Sequence, residues 1–284
     1  MQMIYFNRQR RDIILGGLSN VILYTSRGSA ETLSLKIEGQ PNQVSLFNRP
    51  ETLAKAKKIG TPIPVLVLLR SSPRVSVIGS QSPSFALYED NRLIYWADQR
   101  YKSVELSENE RSNLLQTLNF SSLANLNGGY AGSDSTDQPE TTILVYGWKN
   151  PFFISIYGSL DSRSVRSKIP DAVINAYDTL LSFSHPRAEE WLPADIEVMI
   201  WPYEYAPEPS IEWPSHWPGL DDRNTVKRGD GYSIFMPSAE LQALQIFLGS
   251  QRPRGAVEIG KKKWSVGVRI PFPHENLWMG RSTD

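Results

Sequence analysis

Between residues 201 and 230 the chain gathers its most chemically capable side chains: Trp201, Tyr203, Tyr205, Trp213, His216, Trp217, Asp221, Asp222, Arg223, Lys227 and Arg228. Aromatic faces beside carboxylates and guanidinium groups suit a sugar or a peptide, the rings giving apolar contact and the charges orientation. Pro202, Pro207, Pro209, Pro214 and Pro218 stiffen the segment, so it has little conformational entropy left to lose on binding. Asp221 and Asp222 could in principle supply an acid/base carboxylate. Adjacent residues usually diverge, however, whereas a glycosidase pair must face each other across a substrate. The plainer expectation for the same residues is a loop whose tryptophans and prolines seal the edge of a sheet.

Other sites of chemistry are mostly eliminated. Residues 255–262 come close to a phosphate-binding loop, but Lys262 stands where a Ser or Thr must hold magnesium. The flanking pattern is strand, turn, strand, not strand, loop, helix. No Gly-x-Ser-x-Gly elbow is present to carry a hydrolase nucleophile. His185, His216 and His274 are scattered and lack a second ligand at helical spacing, so no metal site and no cofactor are expected. Arg228-Gly229-Asp230 spells an adhesion tripeptide but reads as a turn before a strand. Lys261, Lys262 and Lys263 read as the solvated tip of a hairpin.

The elements that must position these residues are mainly strands. Residues 32–37 alternate with a period of two, and 63–69 form an apolar run short enough for a strand buried on both faces. Residues 84–88 and 92–96 flank Glu89-Asp90-Asn91 as a hairpin, which 101–106 extends to a meander. A helix follows, with Ser107 and Glu110 spaced for a capping box and Leu114, Leu115 and Leu118 facing inward. Residues 121–139, rich in Ser, Asn, Gly and Asp, read as a long loop or a boundary between two halves. Beyond it, 141–146 and 152–157 predict a second hairpin. The spacing predicts an amphipathic helix over 170–183, with Pro170 in its first turn and Val173, Ala176, Leu180 and Leu181 buried. Strands at 196–201 and 232–236, a helix capped by Ser238, and a last hairpin at 256–259 and 264–270 complete the chain. The expected fold class is α+β, with mostly antiparallel sheet built from hairpins and about three covering helices.

At the N-terminus, Arg8, Arg10 and Arg11 precede a mildly apolar run over 13–24 that ends in the small residues Gly28-Ser29-Ala30. This is the layout of a secretory leader. Arg10-Arg11-Asp12-Ile13-Ile14 resembles a twin-arginine signal, in which paired arginines are followed by any residue and two apolar ones. Gln9 and Leu15 depart from that pattern. The resemblance implies export, with cleavage after Ala30 and a periplasmic or secreted product. Segments 85–90, 136–139 and 254–264 resemble uncharacterised bacterial exported proteins; that resemblance brings no activity with it.

Composition fits the same address. The chain has 284 residues and no cysteine, which excludes disulfides, thiolate metal sites, a cysteine nucleophile and a lipid-anchored cysteine. Without residues 1–30 it retains 254 residues, enough for a substantial core, with 26 basic against 29 acidic side chains. That balance argues against bulk nucleic-acid binding, and no later apolar run reaches membrane-spanning length. The expectation is a leader over 1–30 followed by a single α+β domain over 31–284, in one piece or in two halves about the 121–139 loop. Functionally, the expectation is a non-catalytic exported protein that binds an envelope component or a partner protein through residues 201–230. The alternative is an envelope glycan hydrolase using Asp221 or Asp222 as acid/base.

Overall fold

The computed structural model describes residues 36–37, 62–73, 75–77, 79–147 and 150–279. The leader segment 1–30, with Arg10 and Arg11, and most of the 32–37 alternation lie outside the described residues. Along the chain, β1 (Lys36–Ile37), β2 (Pro64–Ser71), β3 (Phe85–Tyr88), β4 (Arg92–Ala97) and β5 (Arg100–Glu105) lead into helices α1 (Glu108–Leu118) and α2 (Phe120–Ala124). Then come β6 (Gly128–Ala131), β7 (Glu140–Val145), β8 (Phe152–Tyr157), α3 (Arg163–Arg166) and α4 (Asp171–Leu181). The C-terminal third contributes β9 (Glu189–Glu190), β10 (Asp195–Pro202), β11 (Ile211–Glu212), β12 (Thr225–Arg228) and β13 (Gly231–Pro237). Helix α5 (Leu241–Gly249) and the hairpin β14 (Val257–Ile259) and β15 (Lys262–Arg269) follow.

Two sheets result. The nine-stranded one runs β1-β6-β8-β7-β2-β3-β4-β5-β9, and the six-stranded one β11-β14-β15-β10-β13-β12. Among the described residues only β6 with β8 and β11 with β14 pair in parallel. The fold is therefore α+β with mostly antiparallel sheet. Its longer helices, α1, α4 and α5, are the three that apolar spacing marks in the sequence.

Hairpin geometry explains much of the register. The β4–β5 turn places Asp98 and Gln99, and the β14–β15 turn Gly260 and Lys261, at positive φ. Two consecutive left-handed residues make the two-residue turn whose twist matches antiparallel strands. Lys261 alone of the three lysines is thus at a tip, while Lys262 and Lys263 belong to β15. The phosphate-loop lookalike is this strand-turn-strand, and Gly229-Asp230 turns the chain from β12 into β13. The 121–139 segment is more ordered than a loop: it supplies most of α2 and all of β6. Strands β2 and β7 pair directly across it.

The larger sheet is buried on both faces. Leu66, Val67 and Leu68 are all essentially inaccessible, which is why β2 reads as a continuous apolar run. On one face, Leu66, Leu68, Phe85, Leu87, Ile143 and Ile154 pack with Leu114 and Leu118 of α1, Leu123 of α2, and Val173, Ala176 and Leu180 of α4. Helix α1 starts on the expected capping box: Ser107 Oγ accepts the Glu110 N–H at 3.3 Å and Glu110 accepts the Ser107 N–H at 2.8 Å. Leu115 and Leu181 are only partly buried, at the rim of this core.

The second core is continuous across the two sheets. Val67, Ala86, Ile94, Tyr101 and Leu144 of the larger sheet share it with Ile196, Val198, Ile200, Ile234 and Met236 of the smaller one. Helix α5 adds Leu244, and the C-terminal tail adds Phe272 and Trp278. Ser238 is not the cap of α5. Its hydroxyl donates to the Pro193 carbonyl at 2.6 Å, and a 3-10 turn over Ser238–Glu240 intervenes before the helix. No helix among the described residues is long and apolar enough to cross a membrane.

Candidate functional site

The structure divides the 201–230 constellation into an inner and an outer set. The inner set is Trp213 and Trp217, each only 7% exposed. Their ring centroids lie 4.9 Å apart, and both present edges to Phe247 of α5, at 5.8 and 5.4 Å. Burial of an indole demands a partner for its N–H. Trp213 Nε1 donates to the Pro218 carbonyl at 3.0 Å, and Trp217 Nε1 to Glu240 at 3.1 Å. The Trp213 backbone N–H also bonds to the Glu258 carbonyl, extending the short β11–β14 pairing. These two rings plug the core, as large aromatics most often do, and they are not available to a ligand. His216, beside Trp217, points into solvent.

Asp221 and Asp222 sit in one exposed turn and line no part of the larger cleft described below. Asp222 is spent on local structure: its carboxylate accepts the Asn224 N–H at 2.9 Å and its carbonyl the Thr225 N–H at 2.9 Å. Arg223 is exposed alongside. Among the described residues no group of His, Asp and Glu converges as a metal site would require.

The outer set is Trp201 with Arg228. Residue Ile200 pairs with Tyr232, and Arg228 with Gly231, so Trp201 of β10 and Arg228 of β12 flank Gly231 on the face of the smaller sheet opposite Ile200 and Ile234. Ser76, Val77, Gly79 and Ser80 cover that face nearby, at Met199, Ser265 and Gly267. A Cβ on Gly231 would fall 2.3 Å from the Ile200 carbonyl oxygen and 3.3 Å from Trp201 Cε3. Only glycine lets the indole lie this close over the strand. Trp201 is nonetheless 49% exposed, and Val226, two residues before Arg228 on the same face, is 44% exposed. Tyr205, in the loop after β10, is 83% exposed, while Tyr203 is half-buried with its N–H on the Lys263 carbonyl.

Arg228 does not hang free. Its Nε donates to Ser233 Oγ at 3.1 Å, and that hydroxyl donates to Glu197 at 2.5 Å. Glu197 in turn accepts from Arg269, whose guanidinium also reaches Glu275 of the C-terminal tail. Glu197 and Arg269 are 2–3% exposed, and Ser233 is fully buried. Burial works against the Arg269 charge, but Glu275 and Glu197 outweigh it and hold its pKa above the ordinary value. The surface guanidinium of Arg228 is thus the outer end of a buried chain of charge-assisted hydrogen bonds.

A cleft of about 480 Å³ opens elsewhere, where the C-terminal ends of β2, β4 and β8 meet the starts of β3, β5 and β7. Arg70, Ser84, Trp96, Glu140, Asp161 and Tyr177 are among its walls. Sequence reading does not find it, because its residues come from strand ends up to about a hundred positions apart. The one available signal is Trp96, a large aromatic at the end of a strand whose preceding residues are all buried or nearly so. No protein-family model, curated protein or solved structure matches this chain.

Proposed function

We propose that the chain is a non-catalytic binding protein, exported through its twin-arginine-like leader, that docks a partner protein on the exposed corner of the smaller sheet around Trp201 and Arg228. The observation that carries the docking surface is the placement of Trp201: a half-exposed indole whose Cε3 lies against Gly231, beside a guanidinium bonded to Ser233. Rigid exposed Trp, Tyr and Arg are the side chains that dominate protein–protein hot spots, and a pre-ordered set costs little entropy to engage. Val226 shares this face, and Tyr205 is exposed in the loop that follows β10. The hydrolase reading draws no support from Asp221 and Asp222, which share one solvent-exposed turn instead of facing each other across a cleft.

The test places a photo-crosslinking phenylalanine analogue at Tyr205 of the full chain, expressed in a bacterium with a twin-arginine pathway. One dominant protein adduct, lost when Trp201→Ala is combined with it, is the expected result. Adducts that are absent or indifferent to Trp201→Ala would sink the docking surface. The export part has its own readout: a periplasmic product beginning near Glu31, abolished by Arg10→Lys with Arg11→Lys. An intact cytoplasmic product would overturn it.

A further inference from the structure

The cleft at the end of the nine-stranded sheet is a second, independent site, and its walls define what it can hold. Hydroxyls dominate the lining, from Ser71, Ser72, Ser82, Ser84, Thr141 and Ser159, of which Ser71 donates to the Glu140 carbonyl and Ser82 is engaged by Ile270. Among the described lining residues Arg70 is the one cation, and its guanidinium is already placed 6.0 Å from the centroid of the Tyr177 ring. Glu140 and Asp161 give the walls two carboxylates against that one charge. Such a balance disfavours anionic ligands, which would leave a desolvated carboxylate facing a like charge.

Trp96 supplies the apolar face. It is 44% exposed, yet it is not loose: its ring meets Tyr101 with centroids 4.8 Å apart at 69°. Tyr101 is buried, which pushes its phenol up to about 12, and it hydrogen-bonds Ser82. Ser82 is fixed in turn, its hydroxyl donating to the Ile270 carbonyl at 2.9 Å and accepting the Ile270 N–H at 2.8 Å. The indole therefore stands as a rigid plate at the mouth of a cleft rich in hydroxyls. A ring with one apolar face and many hydroxyls matches both features. The volume lies within the usual range for small-ligand sites, roughly 300–1,000 Å³.

We infer that this cleft binds a non-acidic oligosaccharide, with one sugar ring stacked on Trp96 and its hydroxyls bonded to the serine-lined walls and to Glu140 or Asp161. The proposal does not depend on the Trp201 surface.

Calorimetric titration of the full chain tests it, with chitotriose, its fully deacetylated counterpart, cellotriose and maltotriose as probes and trigalacturonic acid as the acidic control. Saturable binding of at least one non-acidic trimer is expected, with no binding of trigalacturonic acid. Trp96→Ala should weaken that binding about tenfold, while Trp96→Phe, which keeps a ring, should lose less. Trp201→Ala should leave it unchanged, which separates this site from the docking surface. If Trp96→Ala does not fold, Asp161→Lys on an exposed side chain decides: the affinity for the bound trimer should fall. The proposal is overturned if no trimer binds at millimolar concentration or if trigalacturonic acid binds as well as the others. It is equally overturned if folded Trp96→Ala, or Asp161→Lys in its place, leaves the affinity intact.

Discussion

The two faces of the nine-stranded sheet are covered in opposite ways. On the helical face, cover comes from nearby in the chain: α1 begins two residues after β5 ends, and α4 follows β8 within the same third of the sequence. Its contacts are apolar, and its one conspicuous polar device, the Ser107–Glu110 capping box, lies at the rim. On the other face, cover comes from the far end of the chain. Ser82 bonds to Ile270, 188 positions on, and the Tyr88 hydroxyl donates to the Pro273 carbonyl, 185 positions on. Here a charged chain, Ser233, Glu197, Arg269 and Glu275, is buried beside the apolar core. The contrast shows two routes to a closed core: local propensity and amphipathic spacing on one side, and long-range register with a buried polar network on the other. Buried charge of this kind contributes little net stability, because desolvation offsets attraction, but a broken pair is costly.

The sharpest way to break the comparison is Arg269→Ala. It strands Glu197 in the interior and should cost about 3–5 kcal/mol in denaturant unfolding. Adding Glu197→Gln should recover part of that loss; no recovery would mean the network is not the cause. Trp217→Ala, on the same side, should cost about 3 kcal/mol by opening a cavity against Trp213 and Phe247. On the helical side, Ser107→Ala should cost only about 1 kcal/mol, as loss of one cap does. A value near that of Arg269→Ala would erase the distinction drawn here.

Acid sharpens it further. Hydrogen bonds from the Ser107 backbone, the Ser107 hydroxyl and His185 hold the Glu110 carboxyl at about 2, below its ordinary 4.5. Its stabilising share is therefore complete above the ordinary value and disappears as pH falls through about 2. Melting curves between those limits should lose part of their slope in Glu110→Gln, and an unchanged slope would assign the acid response elsewhere. The smallest effect belongs to Trp201→Ala. Its stability should stay within about 0.5 kcal/mol of the parent, since the ring is half in water. A loss as large as that of Trp217→Ala would make Trp201 a core residue and remove it from the docking surface.

The same contrast governs what was legible before the structure. Elements of the helical face follow from period and punctuation: β2 from an unbroken apolar run, α1 from Ser107 and Glu110, α4 from Pro170 and its apolar spacing. The short strands β6, β11 and β12 left no such trace, because two to four residues are too few to show a period. Ser238 looked like a cap and is instead a long-range hydrogen-bond donor to Pro193. In the 201–230 segment composition was legible and disposition was not. Trp201 and Trp217 are the same residue type in the same segment, and packing against Trp213 and Phe247 of α5 is what buries the second ring and not the first. The cleft was illegible throughout, since Arg70, Trp96, Glu140 and Asp161 meet only once strand order is fixed.

One feature of that strand order bears on how copies of the chain meet. Among the described residues the larger sheet has margins at β1 and β9, the latter being Glu189 and Glu190, and the smaller at β11 and β12, the latter closing with Lys227 and Arg228. An open margin of strand is a template for adding another chain, and charge placed on it is the usual guard. With acid on one margin and base on the other, two molecules approaching through the same margin repel. Between these two margins the attractive encounter, acid to base, offers two residues against four, too short a ladder to propagate. Pairing of copies through β9 or β12 is thereby discouraged by charge alone.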